Sequence, residues 1–101
     1  MWPGFTSKLS EANLALAAVV DIKTDLVRVT DTTTTTVLTQ ISPNFGGGQF
    51  SGVTFVANDS GAAITTVTTG NILKAVSIPD KQVCVFVYSK LAAKWYPGAI
   101  S

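Results

Sequence analysis

Residues 53–69 read VTFVANDSGAAITTVTT, two alternating runs on either side of one turn signal. Val53, Phe55 and Ala57 alternate with Thr54 and Val56, and Ile64, Thr66 and Thr68 alternate with Thr65, Val67 and Thr69. A period of two sends successive side chains to opposite faces of a strand, and β-branched residues suit the pleat better than a helix. NDSG at 58–61 supplies the turn between the runs. A third run interleaves Val83, Val85 and Val87 with Cys84, Phe86 and Tyr88. With TGN at 69–71 and PDK at 79–81, turn signals recur about every ten residues, the rhythm of a β-sandwich or small barrel.

Outward from this centre the same texture continues. Leu26, Val27 and Val29, then Val37, Leu38 and Ile41, flank the threonine-rich stretch 30–36 and predict two strands, with Asp31 and Thr32 turning between them. Ser42 to Gly48 is a loop by composition, and Gly52 suggests a bulge. The last strand pair is Val83–Ser89 with Lys94–Tyr96, ended by Pro97 and Gly98. Trp95 and Tyr96 are neighbours on opposite faces, so one of them belongs to the core. Near the start, Ser10 with Glu11 behind it predicts the cap of a short helix over 10–18. The competing reading is an irregular connector into a strand at Val19–Ile22. Met1 to Lys8 sets Trp2 and Phe5 around Pro3 and Gly4 and reads as an arm. The expectation is an all-β chain: an N-terminal arm over 1–20 and a single domain over 21–101, a small antiparallel, jelly-roll-like sandwich or barrel.

Composition narrows the function classes. At 101 residues there is room for one core, and 47% hydrophobic against 13% charged residues excludes disorder and suggests surface covered by other subunits. A net charge of +1, with the cations scattered from Lys8 to Lys94, favours neither nucleic acid nor an anionic membrane. The apolar run Leu14–Val20 is too short to span a bilayer. The single Cys84 has no partner for an internal disulfide and reads as a buried, inert thiol. Histidine is absent, which removes the commonest general base and zinc ligand, so no enzyme, cofactor or metal is expected. The six carboxylates fall mostly at turns and strand ends, where a facing glycosidase pair is not expected, and Asn58-Asp59-Ser60-Gly61 lacks the ligand count of a calcium loop. The threonine runs lack the fixed period of an ice-binding solenoid.

The stretch from Leu26 to Pro97 resembles a small β module that recurs in bacteriophage virion proteins, in head decoration and fibre proteins. The matching features are VRVTDTTTTTVLTQISP at 27–43, GGGQF at 46–50, SGVTFVAND at 51–59, TTVTTGNI at 65–72 and VCVFVYSKLAAKWYP at 83–97. They describe strands and turns, so no catalytic or ligand-binding residue carries over. The resemblance implies a homotrimeric decoration or cement protein of the virion, assembled in the host cytoplasm, that binds the outer face of the major capsid protein and stabilises it. The alternative it leaves open is a short fibre or receptor-binding knob whose loops at 42–48 and 58–61 contact a host glycan. Trp2 and Phe5 are the partner-binding anchors expected from the arm, because aromatics dominate interface hot spots.

Overall fold

The computed structural model describes residues 10–43 and 52–101. Trp2 and Phe5, and most of the loop expected at 42–48, lie outside the described residues. Ten strands follow in order: β1 (Glu11–Ala15), β2 (Val19–Ile22), β3 (Leu26–Asp31), β4 (Val37–Leu38), β5 (Gln40–Pro43), β6 (Val53–Asn58), β7 (Ile64–Thr66), β8 (Ser77–Ile78), β9 (Val83–Ser89) and β10 (Lys94–Ile100). They form a five-stranded sheet in the order β1-β3-β6-β9-β10, a two-stranded sheet β2-β5, and a three-stranded sheet β4-β7-β8. The chain is all-β, and among the described residues there is no helix.

The order of visits makes the architecture. The chain passes from sheet to sheet and returns beside itself in parallel: Glu11 lies against Leu26, Leu26 against Phe55, Val19 against Gln40 and Val37 against Thr65. It is a short coil of stacked turns, closed at one end by strands that run the other way. There β8 pairs antiparallel with β7, β9 with β6, and β10 with β9. The expected antiparallel pairing therefore holds in this closing half, and the other pairs are parallel. In-register stacking carries inward residues into columns, Val27 over Val56 over Cys84, all at most 2% exposed. Trp95 and Phe86 fill the closed end, and Trp95 meets the half-buried Tyr88 ring at 5.1 Å between centroids.

Three expectations are corrected. Residues 11–15 are strand rather than helix: the Leu26 N–H donates to the Ser10 carbonyl (3.0 Å) and the Leu16 N–H to the Asp31 carbonyl (2.8 Å). Tertiary pairing overrides the helix propensity of the alanines and leucines. Ser10, the expected helix cap, instead accepts the Asp25 N–H at its Oγ (2.9 Å) and donates that hydroxyl to Asp25 Oδ2 (3.1 Å), stapling the start of β1 to the turn before β3. Second, residues 10–20 are not an arm, because β1 lies in the five-stranded sheet and Leu16 and Val20 are core. Third, β10 does not stop at Tyr96. It runs through Pro97 to Ile100 by a register shift between Pro97 and Ile100, a device that admits proline on an edge strand.

Polar side chains hold the corners. Asn58, 1% exposed, donates its amide to the carbonyls of Ala62 (2.7 Å) and Ile78 (2.9 Å) and accepts from the Ser60 hydroxyl (2.7 Å) and N–H (3.2 Å). Asn71 accepts the Ile41 N–H (2.9 Å) and donates to the Ile41 carbonyl (2.6 Å), standing in for a strand beside β5. The Trp95 indole donates to the same carbonyl (3.1 Å). Buried Thr54 donates to the Thr24 carbonyl (3.0 Å), and buried Thr66 donates to Lys74 (2.9 Å) and accepts from Val76 (2.8 Å). Gly70 is needed for space: a Cβ there would lie 2.3 Å from the Thr39 carbonyl oxygen.

Asn58→Asp keeps the shape and the acceptor but loses both donations, and sets a carboxylate against two carbonyls. The expected loss is about 3 kcal/mol at neutral pH, read as a lower urea midpoint at unchanged slope. Burial raises the folded-state value of such a carboxyl, so part of the loss is recovered as pH falls and the acid form regains a proton to donate.

Candidate interaction surface

The outer face of the five-stranded sheet follows from the same register. Leu26, Phe55 and Val85 align in one row, and Val53, Val87 and Tyr96 in the next. Phe55, Val87 and Tyr96 are 38%, 43% and 43% exposed, and the other three are half-buried. Gly98 borders the first row, where a Cβ would meet Val85 Cγ1 at 2.5 Å. At about 4.8 Å between strands and 6.6 Å between rows, three strands by two rows make an apolar area on the order of 200 Å². Strand β9 explains it. Cys84 and Phe86 face the core while Val83, Val85 and Val87 face outward, so β9 is apolar on both sides, as in sheets covered on both faces.

Charge lies at the margins of the strip: Glu11 stands exposed in register with Leu26 on the edge strand β1, and Arg28, Asp59, Asp80 and Lys81 form a cluster at the far rim. In the third row Arg28 lies beside Ala57, and its guanidinium donates from Nε (3.1 Å) and Nη2 to Asp59 Oδ2. Lys81 Nζ donates to Asp59 Oδ1 (2.6 Å) and lies 3.4 Å from Asp80, which accepts the Gly61 N–H (2.9 Å). Lys81 sits in the left-handed region (φ 68°) of the turn before β9, which brings its side chain to Asp59. Hydrogen bonds from Lys81, then Arg28, hold the Asp59 carboxyl below its ordinary value, and Asp59 raises Lys81 above its own. The cluster joins three turns of the coil and cancels its own charge. The Thr33 N–H and hydroxyl likewise lower Asp31, confirming the turn expected there.

The other candidates resolve simply. Cys84 is buried and its thiol is pushed up by burial. Of the aromatic pair, Trp95 is core and Tyr96 is outside. Among the described residues no group of three or more His, Cys, Asp or Glu is placed to hold a metal. Sequence reading pointed to the arm for partner contact and passed over the outer face, although the two-sided apolar run VCVFV at 83–87 signals it.

No family model matches the chain, and no curated protein matches it. Among solved structures, 91% of the chain superposes with a TM-score of 0.54 and 16% identity on part of a protein solved as "Structure of a chaperone-substrate complex". The chain spans 17% of that protein's length. The likeness is one of fold.

The Asp59 cluster sets an acid limit on stability. A carboxyl held below its ordinary 3.8 contributes fully above that value and loses its contribution as pH falls through the lower folded value. Lys81, raised above 10.5, contributes below that value and loses its share as pH rises beyond it. The urea midpoint of the natural chain should therefore exceed that of Asp59→Asn by a constant margin between about pH 5 and 9, and the margin should close in acid.

Proposed function

We propose that the chain is a non-catalytic structural subunit of a bacteriophage particle that seats the outer face of its five-stranded sheet on the capsid shell. The observation that carries the reading is the apolar strip of Leu26, Phe55, Val85, Val53, Val87 and Tyr96, centred on a strand apolar on both faces, with Arg28, Asp59 and Lys81 paired off at its rim. At about 25 cal/mol per Å², covering an area on the order of 200 Å² contributes roughly 5 kcal/mol before the cost of association, a modest attachment that repetition over a lattice multiplies. The virion setting comes from the sequence resemblance over Leu26–Pro97. Attachment of this kind asks for rigidity and shape, which the stacked sheets supply without any reacting group.

Gradient-purified virions should contain the chain in a fixed ratio to the shell protein, and purified chain should rebind particles stripped of it. The double variant Phe55→Asp, Val87→Asp should keep its circular dichroism and stay in the supernatant. Absence of the chain from purified virions would sink the reading, and binding to host cells in place of heads would move it to a receptor-contacting knob.

A further inference from the structure

The two ends of the coil differ. The closing end is covered by reversed strands, and its last edge carries Pro97 and a register shift, both of which discourage further pairing. At the opposite end β1, β2 and β4 are all edge strands. In a parallel ladder alternate residues face the partner. Since Leu26 donates to Ser10 and Gln40 to Ala18, the N–H and C=O groups of Glu11, Asn13, Val19 and Asp21 point away from the coil. Among the described residues no proline blocks these two edges. Between them lies a cavity of about 320 Å³, whose lining includes core residues Ile22 and Val27 and, at its polar side, Asn13, Asp21 and Lys23. Among the described residues it is an end built like the middle of the coil with no further layer on it.

We propose that this end pairs with the same end of a second copy about a two-fold axis, joining two coils through antiparallel β1 strands into one continuous sheet. The edge is self-complementary. Centred on Asn13, the pairing sets Glu11 opposite Ala15 and Ala12 opposite Leu14, so no like charges meet. Asp21 and Lys23, 3.9 Å apart on one chain and both exposed, present one charge of each sign for the partner's Lys23 and Asp21. The area also fits: overall extents of 33 × 31 × 22 Å give an end cross-section on the order of 600 Å², near the ~800 Å² per partner of a stable interface. Backbone pairing across the axis satisfies the outward groups of Glu11 and Asn13, which no partner of another class is needed to explain. The inference is independent of the virion reading.

Sedimentation equilibrium of the full chain should give about twice its 10.6 kDa at micromolar concentration. Lys23→Asp should weaken association by about tenfold or more, and adding Asp21→Lys should restore it, because the exchanged pair meets its mirror image again. Asn13→Pro, which removes an outward N–H and no backbone bond to β3, only the long exposed contact from Arg28 Nη1 to Asn13 Oδ1 (3.4 Å), should dissociate the dimer with the circular dichroism unchanged. Hydrogen exchange should slow at the Glu11 and Asn13 amides as concentration rises. A chain that stays monomeric at millimolar concentration overturns the proposal. So does protection of Asn13 at every dilution, which would place a segment of the same chain on the edge. A trimer whose mass is indifferent to Lys23→Asp overturns it as well.

Discussion

A coil of unequal turns depends on its corners, and here the corners are held by side chains bonded to backbone groups. The turns from Glu11 to Leu26, Val19 to Gln40, Val37 to Thr65 and Leu26 to Phe55 differ in length, so no repeating loop brings the strands into register. Asn58 ties the β6–β7 corner to the end of β8, Asn71 completes the layer beside β5, and Thr54 and Thr66 fasten a strand to a passing connection. Each replaces a missing peptide partner with an amide or hydroxyl at hydrogen-bond distance, and leaving such groups unpaired in a core costs more than the bond is worth in water. The columns of valine and isoleucine are aligned only because these corners are fixed.

The outer surface follows from the same stacking. In-register strands copy their alternation into the next layer, so the outward valines of β9 extend into Phe55 on one side and Tyr96 on the other. One two-sided strand thus makes a strip several strands wide. The Arg28, Asp59 and Lys81 cluster keeps the charges near it satisfied within the chain, so little salt-bridge energy has to be broken when the strip is covered.

The alternating segments 53–58, 64–66 and 83–89, the Asp31 turn and the division of labour between Trp95 and Tyr96 were legible because each rests on a local rule. What was not legible is long-range or ambiguous. EANLA at 11–15 carries helix propensity and becomes a strand only because β3 offers it a ladder. Parallel stacking announces itself in sequence by a repeat, and unequal turns erase one. Alternation alone does not say which threonines turn inward: Thr54 and Thr66 lie inside, where a hydroxyl that can donate and accept at once is useful beside an aliphatic wall. The outer face is written in the two-sided apolar run of β9, which alternation alone does not distinguish from a strand with one face in solvent.

The closing strands also fix when the molecule can become itself. The bond from the Trp95 indole to the Ile41 carbonyl spans 54 residues, and β6 gains its second neighbour only when β9 has been made. Until then the parallel pairs of β1, β3 and β6 have no closing neighbour, and loop closure over such spans is slow. The sheet cannot be finished during synthesis before its last quarter has been made, and the hairpin of β9 and β10 acts as the latch that covers the β6 edge.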